Sequence, residues 1–131
     1  MALRYPGLPS LSQATYTTAN LAAGASETGL LFLGKTGRIK LVTTTSPARV
    51  QLYRTSANRT SDLLRAYTVR PSAGQGVILD MLTSLATLQF QEDVLYSNGD
   101  SPNLPQQYLN VTNTGLAGSV SVTFFYLLGE L

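Results

Sequence analysis

A chain of 131 residues with 44% hydrophobic residues has the size and core-forming content of one ordinary domain. It contains no Cys and no His, which removes thiol chemistry and the side chains behind nearly all zinc, copper and haem sites, so no catalytic metal, disulfide or cofactor is expected. Charged residues make up only 12%, and they are polarised: all nine Lys and Arg lie at or before Arg70, which gives the first seventy residues a net charge of +7 and the remainder −5.

Residues 1–12 interleave Pro6, Gly7 and Pro9 with Leu3, Tyr5, Leu8 and Leu11, a composition that blocks helix and favours an extended arm. Apolar side chains on such an arm call for a surface to cover, either on their own domain or on a neighbouring subunit. The start of the chain lacks the apolar core of a signal peptide, and no apolar run approaches the length of a membrane span. The expected product is therefore soluble and made in the cytoplasm without classical export.

Residues 13–131 read as one β-sandwich domain, because alternation with a period of two recurs along them and no long helical stripe competes. Strands are expected at Gln13–Thr18, Gly29–Leu33, Arg38–Thr44, Arg49–Thr55, Gly76–Leu82, Thr87–Gln91, Tyr108–Thr112 and Ser119–Leu128. Glycine, proline and asparagine clusters separate them. One helical turn is expected at Ser56–Ala66, capped by Ser61 or Asp62 ahead of Leu63 and Leu64. The fold class is all-β, a single β-sandwich or jelly roll of about eight strands with one short helical turn and an extended N-terminal arm.

Two of these strands, 38–44 and 49–55, are close enough to form a hairpin across Thr45-Ser46-Pro47-Ala48. That pairing would turn Ile39, Leu41, Val50 and Leu52 toward the core and place Arg38, Lys40, Arg49, Gln51 and Tyr53 on one outer face. The charge asymmetry would then become a basic patch. Seven of the nine bases are Arg, the residue suited to bidentate carboxylate pairs in interfaces. With the opposite sign of the second half and no aromatic and basic RNA signature, this favours protein contacts over nucleic acid. Subunit-interface candidates are Leu3, Arg4, Tyr5, Leu8, Arg38, Lys40, Arg49, Tyr53, Arg59 and Arg70.

Other motifs are weaker. Gly29-Leu30-Leu31-Phe32-Leu33-Gly34-Lys35-Thr36 matches the phosphate-loop pattern, but four large apolar residues fill the loop and a strand pattern follows where a helix is required. Glu92-Asp93, Asp80 and Asp100 are the only carboxylates of the second half before its last residues, and their spacing suits solvated turns better than acid–base chemistry or calcium binding by Asp93, Asp100 and Asn98. The stretch around Tyr96, Asn98, Asp100 and Asn103 reads as a polar loop whose side chains match those of a sugar site, which makes these four the candidates for a glycan-binding alternative. No enzymatic role is expected.

From Pro47 onward the chain also has an ordered series of motifs. It runs from the strand Pro47–Tyr53, through the Ala/Arg/Asp-rich turn Ala57–Arg65 and Arg70-Pro71, to the glycine turn and strand Gly76–Asp80. It ends in Val111–Gly115 and Val120–Phe124. This order resembles small β-sandwich modules found in virion structural genes of tailed bacteriophages, usually near tail or fibre components. The resemblance covers roughly two-thirds of the chain and leaves residues 1–46 without a counterpart. It implies a virion protein at the tail, baseplate or fibre, with a capsid decoration protein as the alternative within that class. The partners it implies are other virion proteins and copies of the chain itself, with a host glycan only under the alternative of another class and neither nucleic acid nor membrane.

Overall fold

The computed structural model describes residues 11–83 and 93–131. The arm residues Leu3, Arg4, Tyr5 and Leu8 and the strand expected at Thr87–Gln91 lie outside these described residues. The elements in chain order are β1 (Ser12–Thr17), β2 (Ser26–Leu31), β3 (Thr36–Thr44), β4 (Ala48–Tyr53), α1 (Ser56–Asp62), β5 (Val77–Thr83), β6 (Val94–Ser97), β7 (Gln107–Asn113) and β8 (Ser121–Glu130). They form two four-stranded antiparallel sheets, ordered β1-β8-β3-β6 and β2-β7-β4-β5.

The pairing is nested. β1 pairs with β8, β2 with β7, β3 with β6 and β4 with β5, as if one long hairpin had been rolled over itself. Contacts of β3 with β8 and of β4 with β7 close the roll. This is the connectivity of a jelly roll, in which successive strands alternate between the sheets except at the β4–β5 pair, and two apolar faces meet in the middle.

Period-two patterning supplies that middle. Ile39 and Val42 of β3, Val50 and Leu52 of β4, Leu109 and Val111 of β7, and Val122 and Phe124 of β8 are all fully buried. Burying a Val, Leu, Ile or Phe side chain contributes roughly 1.5–3 kcal/mol each, so these four strands dominate the stability of the sandwich.

The expected hairpin of residues 38–44 with 49–55 does not form. β3 and β4 lie in different sheets, and Thr45, Ser46 and Pro47 carry the chain from one to the other. Side by side, the two strands would have had only one apolar face each to bury. In opposite sheets their core rows face one another, and β4, buried along nearly its whole length, gains a strand on each side. Leu41 also departs from expectation. A bulge at Lys40 leaves Ile39 opposite Tyr126 and Leu41 opposite Phe125, so the phase of β3 changes and Val42, not Leu41, enters the core.

The helix begins earlier than the expected cap. Thr55 is the N-cap, its hydroxyl accepting the Asn58 backbone N–H at 3.0 Å, and α1 ends at Asp62. Leu63 and Leu64 follow it outside the helix and are exposed. β6 occupies residues read as the start of a polar loop. Its four residues are too few to show a period, and antiparallel pairing with β3 makes it a strand of the sandwich, with Tyr96 buried.

Candidate interaction surfaces

The outer face of the β2-β7-β4-β5 sheet is covered by α1 and the segment after it, and most of the buried charge among the described residues lies in that layer. Arg49 on β4 donates to both Asp80 oxygens on β5, from Nε at 2.9 Å and from a terminal nitrogen at 2.8 Å. Arg65, just beyond α1, holds Asp62 through two bonds of 2.8 and 3.0 Å and reaches Asp80 at 2.6 Å. It also donates to the Val69 carbonyl, while Arg49 donates to the Arg65 carbonyl at 2.9 Å. The connection after the helix is thereby fastened to the sheet.

A neutral relay continues inward from this cluster. The Tyr53 hydroxyl donates to Asp62 at 2.7 Å, Gln51 donates to the Tyr53 oxygen at 2.7 Å, and Asn110 donates to Gln51 at 2.9 Å. Burial pushes the Tyr53 hydroxyl pKa up, and its bond to Asp62 adds to the effect. Burial alone would raise the Asp62 pKa. Hydrogen bonds from Arg65 and Tyr53, followed by the attraction of Arg65 and Arg49, outweigh it and hold the carboxyl below its usual value.

These positions correct the expected basic face. Arg49 is committed to Asp80 and stacks over Tyr67, with 5.5 Å to the ring centroid, and Tyr53 is fully buried. Gln51, expected outside with them, is buried as well. Arg59 donates to the Gly29 carbonyl at 2.8 Å and lies over the Tyr108 ring. Arg38 and Lys40 sit on the other sheet, where both approach Asp93. Arg70 is exposed in the connection between α1 and β5. Charges adjacent in the sequence are therefore divided between the two sheets, with no single basic patch built from Arg38, Lys40 and Arg49.

The glycan candidates are also redistributed. Tyr96 points into the core with its hydroxyl on the Leu33 carbonyl, and Asn98 is buried, donating to the Gln106 carbonyl at 2.7 Å. Asp100 accepts the Ser56 backbone N–H at 3.2 Å, and Asn103 donates to the Asn98 carbonyl at 2.7 Å. This turn is held by bonds to its own backbone, and Tyr96 offers no stacking platform to a sugar. The phosphate-loop pattern spans β2, a glycine turn and β3: Gly34, at φ +86°, makes the turn, and a strand follows it. Among the described residues, no three His, Cys, Asp or Glu are grouped so as to hold a metal ion, and no helix is long and apolar enough to cross a membrane.

The outer face of the β1-β8-β3-β6 sheet has a different composition. At one end it is covered by hydroxyls: Thr15 and Thr123 bond across β1 and β8 at 2.9 Å, Thr17 and Ser121 at 2.8 Å, and Thr45 accepts the Ser121 backbone N–H at 2.9 Å. Toward the other end the register sets Phe125 beside Leu41, and Leu127 and Leu95 on either side of Arg38. There a shallow groove of about 670 Å³ is lined by Thr36, Arg38, Leu95, Ser97, Leu127 and Gly129, among others. Leu95 is 71% exposed at its rim.

Sequence reasoning missed this groove because two of its walls come from β6 and from the end of β8. Leu127 was legible as an apolar residue on a strand, but nothing local indicated that β3 would lie between it and Leu95. Comparison of the chain with known protein-family models finds no match, and comparison with characterised proteins finds none either.

Proposed function

We propose that this chain is a non-enzymatic structural subunit of a bacteriophage particle, at the tail, baseplate or fibre, and that it assembles through low-charge surfaces. The observation that carries the proposal is the outer face of the β1-β8-β3-β6 sheet, where a groove walled by Leu95 and Leu127, with Arg38 between them, adjoins a lattice of hydroxyls. A freely diffusing protein gains solubility from mixed surface charge, whereas here much of the scarce charge is used inside the fold to fasten α1 and its connection. A contiguous apolar surface rimmed by polar groups suits a contact with another protein. The jelly roll is used by viral capsid proteins among many others, so the fold is compatible with this role without selecting it. The placement at the tail, baseplate or fibre rests on the motif order from Pro47 to Phe124.

Antibody labelling of purified phage particles, paired with light scattering on the isolated protein, tests this reading. Label at the tail together with a mass above that of the monomer is the expected result. Label over the head would select the decoration alternative, and a monomer absent from particles would overturn the proposal.

A further inference from the structure

We propose that Asn98-Gly99 is a covalent modification site gated by its own turn: the closed turn protects the asparagine, and the open turn lets it convert irreversibly to aspartate or isoaspartate. Asn98 is the one asparagine of this chain followed by glycine. Glycine puts no side chain in the way of the backbone nitrogen that must attack. In that step the Gly99 nitrogen bonds to Asn98 Cγ, and the side-chain nitrogen leaves as ammonia, taking up the proton that Gly99 gives up. Solvent water then opens the resulting five-membered imide at either carbonyl, which yields aspartate or isoaspartate.

In the folded chain both reacting groups are held. Asn98 is 2% exposed; its side-chain nitrogen donates to the Gln106 carbonyl at 2.7 Å, and its side-chain oxygen accepts the Asp100 backbone N–H at 2.8 Å. The attacking Gly99 nitrogen donates to the Arg54 carbonyl at 2.8 Å. Asn103 donates to the Asn98 carbonyl at 2.7 Å, and the Asn98 backbone N–H donates to the Lys35 carbonyl at 2.8 Å. Attack requires the Asn98 side chain to leave Gln106 and Asp100 and requires Gly99 to leave Arg54, so it waits on an opening of the turn. Lys35 leads into β3 and Arg54 follows β4, so the two backbone bonds tie this turn to both sheets. Isoaspartate lengthens the main chain between them by one carbon, and aspartate sets an oxygen against the Gln106 carbonyl where a donor had been. Either product keeps the turn from reclosing on the same bonds and loosens the end of β6, which runs into it.

Peptide mapping by mass spectrometry at mildly alkaline pH follows the conversion, with digestion in acid to prevent it during handling. The chain unfolded in urea should convert at Asn98 ahead of every other asparagine, and the folded chain should convert at least about ten-fold more slowly. Gly99→Ala should suppress conversion in urea, because its methyl shields the nitrogen. Asn103→Ala removes one bond from the turn and leaves the reacting pair in place; it should speed conversion of the folded chain about five-fold, with the rate in urea unchanged. Thr83→Val acts at the other end of β3, through Thr44, and should lower global stability without changing the folded rate. A folded chain that converts as fast as the unfolded one overturns the proposal, as does an unfolded chain in which Asn98 reacts no faster than the other asparagines. If Asn103→Ala leaves the folded rate unchanged, or Thr83→Val raises it in step with its loss of stability, conversion passes through global unfolding and the gating turn is overturned.

Discussion

Arg49 and Arg38 carry the same charge into different surroundings. The Arg49 and Asp80 side chains are 12% and 11% exposed, whereas Arg38 is 59% exposed and approaches Asp93 only to 3.8 Å. Breaking a buried pair leaves an uncompensated charge and costs about 3–5 kcal/mol, whereas a surface pair is worth about 0–1 kcal/mol. Arg49→Glu should therefore lower the urea midpoint sharply or prevent folding, while Arg38→Glu should move it little. Asp62 gives the same network a pH dependence. Its pKa is lowered on folding, so its contribution is fully present above the unfolded carboxylate value of about 4 and is lost as pH falls through the lower folded value. Urea titrations from pH 7 to pH 2 should show this acid loss. Asp62→Asn should be less stable at pH 7 and should show a shallower slope below pH 4.

At the scale of elements, a few side chains decide how strands are joined. Thr83 at the end of β5 accepts the Thr44 hydroxyl at 2.9 Å and the Ala48 backbone N–H at 2.8 Å, so it ties β3 in one sheet to β4 in the other beside the crossing that replaces the expected hairpin. Thr83→Val keeps the volume but leaves these two buried donors without their acceptor. A loss of about 1–3 kcal/mol is expected in denaturant unfolding. β6 is held from the other direction. Gly37 of β3 lies opposite Tyr96, and a Cβ there would strike the Tyr96 hydroxyl and the Leu127 carbonyl. The short strand that forms one wall of the groove thus depends on a glycine in a neighbouring strand, a relation no local pattern could have indicated.

At the scale of the molecule, the charge polarisation in the sequence becomes a division of labour between two faces. One face is closed by α1 and a buried ion network. The other carries hydroxyls and apolar side chains, with Arg38 and Lys40 beside Asp93 as its exposed charges. If subunits join through the second face, association should depend little on salt, because screening acts on exposed charge and leaves apolar contact in place. The mass measured by light scattering should persist between 0.05 and 0.5 M sodium chloride, both roughly chosen to span the range where the screening length falls steeply. An interface made by a basic patch would dissociate over that range.

The sequence by itself determined the all-β class, most strand positions and most of the core, because side-chain alternation is a local consequence of the pleated backbone. Val120, Val122 and Phe124 are buried as their alternation with Ser119, Ser121 and Thr123 requires. Tertiary structure decided which strands become neighbours, since alternation states which side of a strand is apolar but not which other strand will cover it. It sent β3 and β4 to opposite sheets, turned Tyr96 from a loop residue into a core residue, and drew Arg49 and Arg65 onto Asp62 and Asp80. It also brought Leu95 and Leu127 to either side of Arg38. Each of these outcomes depends on partners distant in the chain, and burying two apolar faces at once is the physical demand that selects them.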